Sequence, residues 1–439
     1  MKTHLVPHRI LAVVFAFTAL AYAAEPAKKP SHALTIVADR SDALYRRGEM
    51  VTFLVRLEQE GKPVESGEIE WVLSKDGVEP RRTGRATLAG GKATVTGMLD
   101  EPGFLQCSAT FQTAGSKVTA LGGAGISVLE IKPSMPIPDD FTSFWESKKK
   151  ALAAIPVIPR LTELKSPREG VMTFDLQADS IGGPVSGYFA RPADAKARSL
   201  PAILTVHGAG VVSAQVNTAA TWAKQGALAL DINAHGIPNG RDKAFYDALV
   251  TGELKDYRRR GRESRETIHF LGMFVRLVRA IDFLTTQPEW DGRTLVVSGA
   301  SQGGAQAIAA AGLDARVSFF VAGVPAMCDH TGAKVGRIAG WPKFIETKEK
   351  MPPAEVVSAV RYFDAVNFAA RAKAPGFFTV GFIDTTCPPT SVYAAFNALP
   401  GQKEIFNDIT AGHTNTPAAS AAMRAAVIRH FESMRVKAE

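Results

Sequence analysis

Cysteine is scarce in this chain, which has three in 439 residues: Cys107, Cys328 and Cys387. So few cysteines exclude a disulfide-rich scaffold. Cys328 and Cys387 each follow a predicted core strand, so one bridge between them stays open, although we favour the interpretation that they are buried free thiols. Internal repeats and low-complexity tracts are also absent. A hydrophobic content of 46% with 21% charged residues is typical of globular proteins, and the length suggests two domains.

Neither sign of charge dominates. The formal net charge is +8, and Lys2 and Arg9 lie in an N-terminal segment whose removal would leave roughly +6. The densest basic run, residues 258–262, precedes a predicted helix and is typical of a solvated face. Because no nucleic-acid-binding module accompanies it, we expect no nucleic-acid partner.

A long hydrophobic run occurs at the N-terminus. Basic Lys2 and Arg9 flank the start of an apolar segment, residues 10–20, and Ala21-Tyr22-Ala23 follows as a small-residue cleavage signal. This pattern predicts a signal peptide over residues 1–23 and export to the periplasm or beyond, with no membrane association after cleavage. Retention as an uncleaved anchor is the alternative, although the run is short for a membrane span.

Residues 32–131 alternate between apolar and polar side chains with a period of two, and turn signals separate the runs. Many short strands without a helical window predict a small immunoglobulin-like β-sandwich domain. It has no acidic cluster or aromatic platform typical of a sugar site, and we interpret Trp71 as a core residue. A spacer or docking module is therefore expected, with carbohydrate binding as the alternative.

A proline-rich stretch, residues 132–138, separates this region from a second domain over residues 138–437. Strand and helix patterns alternate there, which predicts a mostly parallel sheet with helices on both faces. Residues 325–375 interrupt the alternation and are predicted to form a lid over the site. The aromatic side chains of Trp341 and Phe344 either line a pocket or pack the lid.

One stretch of the second domain, residues 296–306, combines an apolar strand, the motif Gly-x-Ser-x-Gly-Gly and the start of a small-residue helix. In such a strand-turn-helix segment the serine occupies a strained turn, with its hydroxyl exposed above the sheet. Strand and helix approach closely, so a Cβ at Gly299 or Gly303 would collide with the backbone. The pattern predicts the nucleophile turn of an α/β-hydrolase fold, with Ser301 as nucleophile.

A serine hydroxyl needs an imidazole to take its proton and a carboxylate to orient that imidazole. In this architecture the three residues follow in the order Ser, Asp, His. Asp384 directly follows a predicted strand, and His413 lies in a small-residue loop before the final helix. Order selects His413 among the nine histidines, whereas Asp384 has rivals in Asp329 and Asp408.

The tetrahedral intermediate of acyl transfer needs donors for its oxyanion. We expect the backbone N–H of Gln302, directly after the nucleophile, and that of Ala209 in the glycine-rich loop 207–210. The run 326–330 contains Cys328, Asp329 and His330, but its spacing fits no standard zinc motif. No metal is therefore predicted.

From about residue 138 onwards the chain resembles the acetyl xylan esterase and cephalosporin-C deacetylase group, carbohydrate esterase family 7. The resemblance rests on four segments: Asp140-Phe141 with Phe144-Trp145, residues 299–304, residues 324–329 and residues 381–397. It implies an esterase domain that removes small acetyl groups from sugar esters such as xylan or xylo-oligosaccharides, without metal or cofactor. By the same resemblance Ser301, Asp384 and His413 are nucleophile, acid and base, and Gln302 and Ala209 are the oxyanion donors.

One motif departs from the family. Residues 233–236, Asn-Ala-His-Gly, stand where the family usually has Arg-Gly-Gln, which indicates a divergent branch and leaves the substrate and the family's usual homo-oligomer open. Two alternatives to an esterase remain at this point. One is a serine peptidase similar to prolyl oligopeptidases, which share the sheet and the serine turn but normally carry a propeller. The other is an inactive hydrolase-fold protein that binds carbohydrate, against which the intact order of serine, aspartate and histidine argues.

Overall fold

The computed structural model describes residues 32–338, 340–345 and 353–436. The predicted signal peptide, residues 1–23, lies outside the described residues. Within the described ranges, no helix combines the length and the apolar character needed to cross a bilayer.

From His32 to Ile126 the regular elements of the chain are all strands. These are β1 (His32–Ala38), β2 (Leu44–Tyr45), β3 (Val51–Gln59), β4 (Lys62–Pro63), β5 (Ser66–Lys75), β6 (Arg81–Ala89), β7 (Lys92–Gly97), β8 (Gly103–Thr113) and β9 (Ser116–Ile126). Hydrogen bonds connect them in the order β1-β3-β7-β6-β5-β8-β9-β2, with β4 on β3. The residues of β3 and β7 alternate between buried and more exposed, which is the predicted period of two.

The strand order folds back on itself. β6 and β7 are joined by the single residue pair Ala89 and Lys92, so the network can bend there. β1 and β3 then lie over β9, since a Cβ on Gly122 would come within 2.6 Å of Ile36 Cγ2 and 3.3 Å of the Phe53 ring. This is a face-to-face packing of strands. The assignment of residues 32–131 as a separate immunoglobulin-like domain stays a prediction.

The second part alternates strands and helices. Its strands are β10 (Arg160–Leu164), β11 (Val171–Ala178), β12 (Val185–Pro192), β13 (Leu200–Val206), β14 (Leu228–Ile232), β15 (Trp290–Ala300), β16 (Phe319–Gly323), β17 (Gly376–Gly381) and β18 (Lys403–Asp408). Its helices are α1 (Phe141–Ala153), α2 (Val216–Lys224), α3 (Lys243–Thr251), α4 (Phe270–Thr286), α5 (Gln302–Leu313), α6 (Ala354–Val360), α7 (Ala365–Ala369), α8 (Pro389–Ala398) and α9 (Pro417–Val436). Short 3₁₀ helices occupy Val128–Glu130, Tyr257–Arg259, Gly332–Val335 and Arg361–Phe363.

The sheet of this second part has the order β10-β11-β12-β14-β13-β15-β16-β17-β18. The pairs from β10 to β14 along this order are antiparallel, and all pairs from β14 to β18 are parallel. Adjacent residues of one strand enter different cores. Leu204 and Val297 share a core with α4 and α5, whereas Ile203 and Val296 share another with α2 and α9. The predicted mostly parallel sheet with helices on both faces is therefore confirmed.

The insertion after β16 is anchored by a buried carboxylate. Asp364 accepts hydrogen bonds from the backbone N–H groups of Asp329, His330 and Val366, and burial raises its pKa to about 7. The Phe344 ring is buried against the rings of Phe270 and His330, so it packs the insertion rather than lining an open pocket. The predicted lid function of this segment stays a prediction.

Candidate active site

Ser301 lies in the turn between β15 and α5. Its φ of 57° and ψ of −121° fall outside the regions that non-glycine residues favour, so the strained turn that the motif predicts is present. A Cβ on Gly299 would lie 2.5 Å from the carbonyl carbon of Gly303, and a Cβ on Gly303 would collide with the Val206 carbonyl oxygen. The motif glycines are therefore required because strand and helix nearly touch at this point.

The structure brings Asp384 and His413 to this serine. Nε2 of His413 lies 2.9 Å from Ser301 Oγ, and Nδ1 lies 2.7 Å from Asp384 Oδ2. The other oxygen of Asp384 accepts hydrogen bonds from the N–H groups of Thr386 and Cys387, both at 2.8 Å. Asp384 is fully buried, whereas a quarter of the His413 side chain is exposed. The ring thus has a buried carboxylate on one side and the serine hydroxyl on the other.

The two rival carboxylates lie in other networks. Asp329 forms an ion pair with Arg337 and accepts hydrogen bonds from the backbone N–H and hydroxyl of Ser134. Asp408, the last residue of β18, accepts a hydrogen bond from the Thr416 hydroxyl at 2.6 Å. The acid that order and strand position favour is therefore the one that contacts His413.

The loop 207–210 lies against the nucleophile. A Cβ on Gly208 would come within 3.6 Å of Ser301 Cβ and 3.3 Å of the Ala300 carbonyl oxygen. Gln302 is the first residue of α5, where backbone N–H groups have no partner within the helix. Both amides that the sequence selects as oxyanion donors, those of Ala209 and Gln302, thus belong to segments that flank the serine. Their role as donors stays a prediction.

His207 fixes one side of this loop through a defined tautomer. Its Nε2 accepts the N–H of Ala234 at 2.9 Å, so the proton of the neutral ring is on Nδ1, which donates to the Gly208 carbonyl at 2.6 Å. Burial lowers the pKa of His207 and keeps the ring neutral. The ring therefore ties the loop after β13 to the loop after β14.

Tyr257 is a residue that the sequence analysis missed. Its buried hydroxyl accepts the N–H of Gly210 at 3.2 Å and donates to Oε1 of Gln302 at 3.0 Å, so it connects the two segments that carry the expected oxyanion donors. His235 supports the same loop, with Nε2 at 3.0 Å from the Gly210 carbonyl oxygen and Nδ1 at 3.1 Å from Nε2 of His269.

The neighbouring basic run explains why Tyr257 was missed. Residues 258–262 are typical of a solvated face, but Arg262 is half-buried and donates to the Phe344 carbonyl oxygen at 2.6 Å. The prediction that this run is only a solvated face is therefore wrong at Arg262. An aromatic residue beside a basic run was the available signal, and it is a weak one.

Asp384, Cys387 and His413 place potential metal-ligand atoms within 4.8 Å of one another. The carboxylate oxygens already accept two N–H groups and face the imidazole, and burial raises the pKa of the Cys387 thiol well above its usual value. A protonated thiol and an occupied carboxylate suit a proton relay better than a cation site. Cys107, Cys328 and Cys387 are all buried and carry free thiols.

Comparison with known proteins identifies the family and the fold of the chain. The model of the family described as acetyl xylan esterase (AXE1) matches residues 127–427. The chain is 31% identical over 376 residues to acetyl esterase Axe7A from Xylanibacter ruminicola, with 84% of each chain covered. The acetyl xylan esterase from Paenibacillus sp. R4 superimposes with a TM-score of 0.59 and 26% identity, over 69% of this chain and 98% of that one.

Acetyl xylan esterase 1 from Thermoanaerobacterium sp. JW/SL YS485 has the same fold, with a TM-score of 0.57 and 20% identity over 69% of this chain and 98% of that one. The second part of the chain is thus an α/β-hydrolase fold, and the protein is a carboxylic-ester hydrolase. The chain belongs to the acetyl xylan esterase family.

Proposed function

We propose that this chain is an exported serine esterase that removes acetyl groups from acetylated sugars of the xylan or xylo-oligosaccharide type. The observation that carries the proposal is the continuous hydrogen-bonded series from Ser301 Oγ through His413 to Asp384, at 2.9 and 2.7 Å. The family and the relative named acetyl esterase Axe7A support an acetyl ester as the substrate. Export is supported by the signal-peptide pattern of residues 1–23.

In the proposed mechanism, Nε2 of His413 takes the proton of Ser301 as Oγ attacks the acetyl carbonyl carbon. Asp384 holds the proton on Nδ1 and stabilises the imidazolium that forms. The N–H groups of Gln302 and Ala209 donate to the oxyanion. The intermediate then expels the sugar oxygen, which receives the proton from His413, and leaves an acetyl group on Ser301.

Water completes the cycle by the same route. His413 takes a proton from the water as its oxygen attacks the acetyl-enzyme, and returns that proton to Ser301 Oγ when acetate leaves. His413 is partly exposed, so water can reach it, while the buried Asp384 keeps its orientation through both steps.

The experiment measures release of acetate from acetylated xylan and xylo-oligosaccharides and of p-nitrophenol from acetyl and octanoyl esters. We expect acetyl esters to react much faster than octanoyl esters, and Ser301→Ala to abolish turnover. Ser318→Ala is the matched control, because Ser318 Oγ also lies 2.9 Å from a histidine nitrogen, that of His430, but Ser318 directly precedes an ordinary strand, β16. It is expected to keep native activity. Cleavage of peptides without ester turnover would overturn the proposal in favour of a peptidase.

A further inference from the structure

The loop that carries Asp384 begins in contact with the N-terminal strands. Phe382, two residues before Asp384, is fully buried, and its ring lies 4.9 Å from the ring of Phe104 in β8. Gly123 in β9 faces the same residue, since a Cβ there would collide with the Phe382 carbonyl oxygen and lie 3.0 Å from its carbonyl carbon. The backbone of β9 thus lies directly against the start of the acid loop.

The end of the loop is also held by the N-terminal strands. Thr390, in the first turn of α8, donates its hydroxyl proton to Oδ1 of Asp76, which follows β5. Phe104 in turn fixes Asp76 by two hydrogen bonds. The backbone N–H of Asp76 donates to the Phe104 carbonyl oxygen at 2.8 Å, and Oδ1 of Asp76 accepts the N–H of Phe104 at 3.3 Å. Both Asp76 and Thr390 are almost completely buried.

The far end of α8 continues the same contact. Nδ2 of Asn397 donates to the carbonyl oxygens of Val128 and Ile131, at 2.8 and 2.9 Å. These residues lie directly after the N-terminal strands. The helix that follows the acid loop is therefore held along its length by the first part of the chain.

We propose that the N-terminal strands position the catalytic acid, by holding the loop 382–390 at both ends. The proposal rests on the proposed function, in which Asp384 orients His413. Catalytic groups must be held to well within 1 Å, because a displacement of about that size costs roughly 100-fold in rate. The N-terminal region thus acts as a part of the catalytic unit, rather than as the spacer that its sequence suggests.

The relatives differ in whether their matches include the N-terminal strands. The solved acetyl xylan esterase from Paenibacillus matches over 98% of its own length but only 69% of this chain, so the N-terminal strands are an addition to that architecture. The match to Axe7A covers 84% of this chain. Residues 127–439, which begin where the family match begins, make up a smaller share of the chain than that. The match to Axe7A therefore extends into the N-terminal strands.

Two adjacent glycines of β9 provide the experiment. Gly123→Ala adds a methyl group that pushes on the backbone of Phe382, whereas Gly122→Ala adds the same group inside the N-terminal strands, against Ile36 and Phe53. Neither glycine has a left-handed φ, so alanine is compatible with both backbones. Measurements on the full chain compare kcat, KM and the unfolding temperature of the two variants.

We expect Gly123→Ala to lower kcat by roughly 10- to 100-fold with little change in KM. Gly122→Ala is expected to lower the unfolding temperature but to keep kcat per folded molecule. Equal kcat values in the two variants would overturn the proposal. The proposed function is decided separately, by the activity of the native enzyme and of Ser301→Ala.

Substitutions at the other end of the loop provide a second measurement if Gly123→Ala does not fold. Thr390→Val removes the hydroxyl at nearly constant volume, and Asp76→Ala removes the acceptor, so both are expected to lower kcat. Asp76→Asn keeps an oxygen that can accept both hydrogen bonds and is expected to retain most of the kcat. Native kcat in Thr390→Val and Asp76→Ala would contradict the proposal.

Discussion

Replacement of Asp384 by asparagine tests the proton relay, because the surrounding backbone dictates the orientation of the new amide. Oδ1 of Asp384 accepts two N–H groups, those of Thr386 and Cys387, and Oδ2 faces Nδ1 of His413. An NH₂ group cannot accept, so the amide oxygen must take the position of Oδ1 and the NH₂ must face the ring. Nδ1 then has to accept, which leaves the ring proton on Nε2, where it faces Ser301. A ring protonated there cannot take the serine proton.

The expected loss in kcat is about 10⁴-fold, which corresponds to about 5 kcal/mol of transition-state stabilisation. KM and the unfolding temperature should change little, because every polar atom of the site keeps a hydrogen-bond partner. The assay is steady-state hydrolysis of p-nitrophenyl acetate. Asp408→Asn is the matched control, since Asp408 is a rival acid whose partner is Thr416, and it should keep native kcat. A kcat for Asp384→Asn within tenfold of the native value would refute the reasoning.

Two further predictions concern groups around the site. Tyr257→Phe removes the hydroxyl that accepts the Gly210 N–H and donates to the Gln302 side chain. We expect kcat to fall roughly 10- to 100-fold in steady-state assays, with KM nearly unchanged. Tyr393→Phe is the control, because it removes a buried hydroxyl that is bonded to Asn407, and an equal loss of kcat in this variant would contradict the prediction. Burial raises the pKa of Asp76 to about 6, so its contribution to stability is full below about pH 4 and is lost as the pH rises through 6. Asp76→Asn should therefore gain up to about 3 kcal/mol in unfolding free energy relative to the native protein between pH 4 and 8, and a difference that is constant with pH would exclude this cause.

The mostly parallel sheet was predictable because its determinants are local. β14 and β17 are buried at every position and are mostly apolar, as is typical of strands covered on both faces. The turn at Ser301 is also local, since its glycines follow from the closeness of one strand to the next helix. Chain order then selects His413, whereas order and strand position favour Asp384 without excluding Asp329 and Asp408.

The contacts around these residues were not predictable, because they join segments far apart in the chain. Tyr257 forms hydrogen bonds with Gly210 and Gln302, whereas its neighbours in sequence, residues 258–262, form a basic run that is typical of a solvated face. The sequence predicts only that Gly123 lies in a strand, although the absence of a Cβ at this residue is what lets the backbone of Phe382 approach. No periodicity or motif predicts this approach, because Gly123 lies inside one strand and Phe382 directly follows another.

Each residue of the proposed proton relay is held by a different physical means. Close approach of the backbones of β15 and α5 fixes the turn at Ser301, which is why residues 299 and 303 are glycines. Hydrogen bonds with the side chains of His207 and Tyr257 fix the loop expected to bind the oxyanion. Oδ1 of Asp384 accepts two N–H groups of its own loop, and that loop is also bonded to Ala411 and Trp341. The N-terminal strands contact the same loop at its two ends, where the proposed positioning of the carboxylate acts.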